Sequence, residues 1–159
     1  MNINIVCVGN LKEKYWRDGV DEYSKRLSRF CKLEIREIKE SRLPDKASRA
    51  DEEKVIEAEG REIIKAIKKG SYIITLEIKG KELSSEAFAE KLQELPLEGV
   101  SDISFVIGGS LGLSPEVSKL ADYKLSFSKM TYPHQMMRVI LLEQIYRGFK
   151  INSGEKYHK

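Results

Sequence analysis

A chain of 159 residues is long enough to bury one hydrophobic core of ordinary size. Hydrophobic residues make up 41% and charged residues 33%, which excludes a disordered chain, and no apolar run approaches the roughly 18 residues of a membrane span. The net charge of +3 hides an uneven distribution: residues 1–49 hold 12 basic against 8 acidic side chains, residues 50–118 hold 8 against 14, and residues 119–159 hold 8 against 3. Basic ends around an acidic middle fit either a polyanion-binding face or an ordinary solvated surface.

The amino-terminal residues lack a signal peptide's basic segment and read directly as a strand over 2–9, so a cytoplasmic protein is expected. Cys7 and Cys31 sit in apolar strand-like surroundings without metal-ligand spacing, and read as reduced, buried small hydrophobes. Tyr15, Trp16, Val20, Tyr23, Leu27 and Phe30 recur every three to four residues, which predicts a helix over 15–30. Residues 32–39 alternate as a half-exposed strand. Residues 45–69 form a long helical pattern stopped by Gly70.

A strand follows over 71–78, then a helix capped by Ser84 or Ser85 that runs to 95, before Pro96. Residues 102–107 are another strand, Ser114-Pro115-Glu116 opens a short helix, and 123–127 give a last short strand. The final helix is expected over 133–149, with Thr131 as its cap and Pro133 in the first helical position. Alternating strands and helices predict an α/β fold: a parallel-type sheet with helices on both faces, in one domain over 1–159. The final helix is apolar most of the way round, through Met136, Met137, Val139, Ile140, Leu141, Leu142, Ile145, Tyr146 and Phe149. Such a helix is buried on more than one side, and a homodimer contact is the expected second side, with burial within the chain as the alternative.

Three segments carry chemistry. The strand over 103–107 breaks into Gly108-Gly109-Ser110-Leu111-Gly112, which is neither a dinucleotide fingerprint nor a phosphate-binding loop. Glycines at that place let a flat heterocycle lie against backbone. Residues 127–134, Phe-Ser-Lys-Met-Thr-Tyr-Pro-His, collect aromatic, hydroxyl, cationic and imidazole groups at a helix start. The tail ends in Tyr157-His158-Lys159, polar enough to fray, yet suited to a base or phosphate contact.

The glycine turn, the series Tyr132-Pro133-His134, Arg138 and Leu142-Glu143-Gln144-Ile145-Tyr146-Arg147, and the terminal Tyr157-His158 together resemble the RlmH family. The Val8-Gly9-Asn10-Leu11-Lys12 turn extends the resemblance to nearly the whole chain. These are small SPOUT-class methyltransferases of large-subunit ribosomal RNA. Tyr132-Pro133 departs from the family's frequent His-Pro.

The resemblance implies a trefoil knot in about residues 100–159, which topology rules alone would have steered away from. It implies S-adenosylmethionine as methyl donor, held by Leu76, Gly108, Phe127, Ser128, Lys129, Met130, Thr131 and Tyr132. It also implies a homodimer through the last helix, no metal, no membrane, and a target at N3 of a pseudouridine in 23S ribosomal RNA, in the helix 69 region of the assembled ribosome. That N–H must lose its proton before attack, so a base or a charge is wanted. His134, Arg138, Tyr157 and His158 are the catalytic candidates, with His134 kept neutral by the helix dipole. The rival is a knotted RNA-binding module without transfer activity.

Overall fold

The computed structural model describes residues 1–159. Five strands and five helices alternate along the chain: β1 (Asn2–Val8), α1 (Lys14–Leu27), β2 (Lys32–Ile38), α2 (Arg49–Ala66), β3 (Tyr72–Glu82), α3 (Ser85–Leu97), β4 (Asp102–Ile107), α4 (Pro115–Leu120), β5 (Tyr123–Ser126) and α5 (His134–Asn152). All strand pairs are parallel, in the order β2-β1-β4-β3-β5. The α/β expectation and its parallel sheet are therefore correct.

Side-chain alternation sorts the helices onto two faces. Ile3, Ile5 and Cys7 of β1 join Ile103, Phe105 and Ile107 of β4 in a core covered by α1, α3 and α5. Val6, Val8 and Val106 point the other way, toward Ile63 of α2 and Val117 of α4. Central strands buried on both faces explain why β1 and β4 read as near-continuous apolar runs. The two cysteines are free thiols, and burial pushes both up to about 11. Neither is a thiolate at neutral pH.

Some boundaries move for local reasons. The second helix begins at Arg49, not near 45, because Ser48 and Asp51 close a reciprocal capping box. The last helix begins at His134, with Pro133 as its cap residue and no side-chain cap, which corrects Thr131 as cap and Pro133 as first helical residue. Pro133 lacks the oxygen that caps, and exposed Thr131 lies too far back to reach the first turn's amides. That helix also runs three residues further than expected, to Asn152, until Gly154 turns the chain at φ +67°.

Strand β3 continues past the expected end at 78. Its pairing with β5 shifts register between Leu76 and Lys81, so Leu125 faces both. Gly80 makes that crossing possible: a Cβ there would sit 2.7 Å from the Lys124 carbonyl oxygen. The shift leaves residues 77–80 bulging at the carboxyl edge of the sheet.

Candidate functional site

The carboxyl ends of β4, β3 and β5 lie side by side, and the segments that leave them enclose a cleft of about 350 Å³. Its floor is the turn after β4. Gly112, at φ +84°, donates its N–H to the Gly109 carbonyl at 3.0 Å. A Cβ on Gly108 would lie 2.9 Å from the Gly112 carbonyl carbon and 3.0 Å from Leu113 Cδ2. The turn's own closure therefore requires glycine at 108, independently of any ligand.

One wall is Leu76, Glu77 and Ile78 from the bulge of β3; the opposite wall is Phe127, Ser128, Met130, Thr131 and Tyr132. Ser126 Oγ holds these walls together, within hydrogen-bond reach of the Ile78 carbonyl (2.9 Å) and the Ser128 carbonyl (3.2 Å). Ser128 Oγ accepts from the Met130 N–H at 2.9 Å, which orders the loop. His134 and Met137, on the first turn of α5, complete the lining. Seven of the eight residues expected around the donor meet in this cleft. The eighth, Lys129, is exposed and lies outside the lining.

His134 is half-buried against Gly9, and its pKa is lowered, chiefly by burial. The cations Arg138 and Lys12 act in the same direction, and the Glu40 carboxylate opposes them. The neutral imidazole expected from the helix dipole thus arises first from desolvation.

Arg138 does not line the cleft. It is 1% exposed, donates to Glu37 Oε2 at 2.9 Å and to the Val8 carbonyl at 3.0 Å, and also reaches the Gly9 carbonyl. Its Nε has no partner. The guanidinium ties α5 to the ends of β1 and β2, one helical turn from His134. Glu37 also accepts from the Leu11 N–H, and Gln135 accepts from the Lys12 N–H, so the 9–12 turn is fastened to the start of α5.

The tail is not frayed. Tyr157 packs edge-on against Tyr146 (centroids 5.0 Å apart), lies under the Arg147 guanidinium, and donates to Glu143 Oε1 at 3.2 Å. Burial first, then neighbouring Tyr23 and Glu143, push its phenol up to about 12. His158 Nδ1 accepts from Arg147 at 3.2 Å, so its Nε2 carries the hydrogen given to Glu86 at 2.7 Å. Glu143 and Arg147 stand 9 and 13 residues along α5 from His134, roughly 14 and 20 Å at 1.5 Å per residue. Within one chain, Tyr157 and His158 are thus away from the cleft.

Two carboxylates were missed by the sequence reading. Glu77 accepts from Thr75 Oγ1 (2.7 Å) and Ser118 Oγ (3.1 Å) on the cleft wall. Its place directly after Leu76, at a strand's carboxyl end, was the available signal. Buried Glu59 of α2 accepts from the Ser41 N–H at 3.3 Å and backs the glycine turn beside Gly109; burial raises its pKa. No group of three or more His, Cys, Asp or Glu side chains is arranged for a metal ion, and no helix is long and apolar enough to cross a membrane.

Comparison with known proteins agrees with this geometry. The family described as "Predicted SPOUT methyltransferase" matches residues 1–158. The chain is 59% identical to the ribosomal RNA large subunit methyltransferase H of Clostridium novyi and 56% identical to the putative enzyme of that name from Methanococcus maripaludis, over all of both chains in each case. Its fold is similar to that of a probable methylase family protein from Haemophilus influenzae (TM-score 0.54, 13% identity, 99% of this chain and 70% of that one). It is also similar to a Legionella pneumophila putative methyltransferase solved with bound SAM (TM-score 0.51, 12% identity, 94% and 66%). The cleft at the carboxyl ends of three adjacent parallel strands and the match across 158 residues lead to one assignment: the chain belongs to the SPOUT methyltransferase family.

Proposed function

We propose that this protein methylates N3 of a pseudouridine in 23S ribosomal RNA, in the helix 69 region of the assembled ribosome, with S-adenosylmethionine as donor. In this reading it works in the cytoplasm as a single-domain homodimer paired through α5, with about residues 100–159 threaded as a trefoil knot and without a metal. The observation that carries the reading is the convergence of Leu76, Gly108, Phe127, Ser128, Met130, Thr131 and Tyr132 on one cleft. Relatives named ribosomal RNA large subunit methyltransferase H support the substrate class.

The cleft suits such a donor. Its volume falls within the range of small-molecule sites, its lining is mostly apolar, and its floor is bare backbone that can meet a flat heterocycle. When bound, S-adenosylmethionine supplies an electrophilic methyl group on a sulfonium centre. The chain's part is to hold donor and acceptor in line and to manage one proton.

His134 is the imidazole at the cleft, neutral through burial, and its Nε2 can accept the proton that leaves N3. Arg138 fixes the helix that carries His134. Tyr157 and His158, packed against α5 too far from His134 to serve their own cleft, serve the partner's, where ring and imidazole meet the target base.

Transfer of labelled methyl from S-adenosylmethionine to ribosomes from cells lacking the protein, with mass-spectrometric mapping of the modified base, tests the reading. Label at N3 of a pseudouridine in the helix 69 region is expected. Donor binding without transfer would leave an RNA-binding module, and no donor binding would remove the cleft from the account.

A further inference from the structure

Glu77 is the sole carboxylate lining the cleft, and the lining holds no lysine or arginine. Both of its hydrogen-bond partners are neutral hydroxyls: Thr75 donates to Oε1 and Ser118 to Oε2. Those two bonds come from different elements, β3 and α4, and fix the carboxylate plane. Each oxygen keeps acceptor capacity that neither hydroxyl uses, since an ionised carboxylate accepts at about four positions. A half-buried anion in a mostly apolar wall, oriented yet without a cation, is built to receive donors from a ligand.

Position narrows what those donors are. His134 lies against Gly9 at the end of β1, on the face covered by α5. Glu77 lies at the start of the β3 bulge, two strands away in the order β1-β4-β3, and is held by Ser118 on the opposite face. Two strand spacings are roughly 10 Å. The proton-handling end of the cleft and the Glu77 end are therefore distinct. A group bound at Glu77 is a part of the donor other than the reacting methyl.

Resting on the donor reading above, we propose that Glu77 is a specificity residue that binds the vicinal 2′- and 3′-hydroxyls of an adenosyl ribose, one at each carboxylate oxygen. A cis-diol presents two O–H donors on adjacent carbons, one for each fixed oxygen, and hydrogen bonds to an ionised acceptor are strong. A site built to accept from hydroxyls rejects analogues that lack them, because the buried acceptor is then left unpaired.

Calorimetry on the intact protein with S-adenosylmethionine, 5′-methylthioadenosine and the 2′-deoxy and 3′-deoxy forms of the latter tests this. Wild type is expected to lose roughly 10- to 100-fold in affinity for each deoxy compound. Glu77→Gln, isosteric and still able to accept from Thr75, is expected to bind ribose and deoxyribose compounds within about threefold of each other. Ser118→Ala, which removes only one orienting hydroxyl, should fall between them.

Wild type that takes the deoxy compounds as tightly as methylthioadenosine would overturn the inference while leaving the donor reading standing. So would a Glu77→Gln protein weakened for S-adenosylmethionine but unchanged for methylthioadenosine, since the carboxylate then meets the amino group. Failure of wild type to bind any adenosyl compound would overturn both.

Discussion

Arg138 shows how far a single residue's role depends on where its end group goes. Its spacing on the last helix made it a catalytic candidate, but the guanidinium turns inward to Glu37 and to the carbonyls of Val8 and Gly9. Arg138→Met should keep the stem's packing and strand the two carbonyls. Glu37 retains solvent, so the expected loss is about 3 kcal/mol, the low end for removing one member of a buried pair. Urea unfolding measures it, and a loss under about half a kcal/mol would mean the tie is ornamental. His134 gives a prediction with a sign. Its folded pKa lies below the ordinary 6.5, so the unfolded chain binds more protons between those two values. Stability should therefore rise with pH across that window and level off above about 6.5. His134→Gln should flatten the slope; equal slopes in both proteins would show that another group carries it. Residue types at the cleft were legible, since Leu76, Gly108 and the 127–132 loop stand at strand ends, where ligands bind in α/β sheets. Glu77 and Glu59 were not, because an acid in a charged sequence reads as surface until its neighbours are known.

Elements follow the same division between pattern and packing. The strands were readable because β1 and β4, buried on both faces, are apolar at almost every position. Helix ends were less so, since they depend on which side chain reaches which amide. The close passage of α2 over α4 could not be read at all. Gly60 faces Ser114 so closely that a Cβ would sit 2.5 Å from its Oγ. That hydroxyl caps α4 by accepting from the Val117 N–H at 3.2 Å. Gly60→Ala gains roughly 1 kcal/mol of helix propensity. It should lose more, about 1–3 kcal/mol from overpacking and about 1 from the displaced cap. A net fall in thermal midpoint is expected, and a rise would show that Ser114 moves freely. The tail is a second case where packing overrode pattern. Its polarity suggested a frayed end, yet Tyr157 has an aromatic pair and an overlying cation. Deleting residues 157–159 should therefore lower stability by about 1–2 kcal/mol, where a frayed end would lose nothing. Donor affinity measured by calorimetry on the same protein should hardly change.

At the scale of the whole molecule, the apolar circumference of α5 has two explanations that the structure separates. Much of it is met inside the chain, because α5 packs between α1 and α3 with Leu141, Leu142 and Ile145 fully buried. Leu141→Glu would therefore unfold the protomer and says nothing about pairing. Ile140 is only partly buried, so Ile140→Glu should fold and run as an 18.2 kDa monomer in sedimentation, whereas wild type is expected to run as a dimer under the proposed pairing. A sharper test uses the distance between tail and cleft. One protein lacks residues 157–159 and keeps His134; a second carries His134→Gln and keeps its tail. Neither alone should methylate ribosomes. After dissociation and random re-pairing, half the dimers are mixed, and each mixed dimer joins one intact cleft to the partner's tail. Activity of about a quarter of the wild-type level is then expected, with the two-fold symmetry of a homodimer as the reason. No recovery, despite mixed dimers seen by native mass spectrometry, would mean that the tail serves its own chain. The roughly 14–20 Å between His134 and the Glu143–Arg147 stretch would then have to close by a movement of the tail itself.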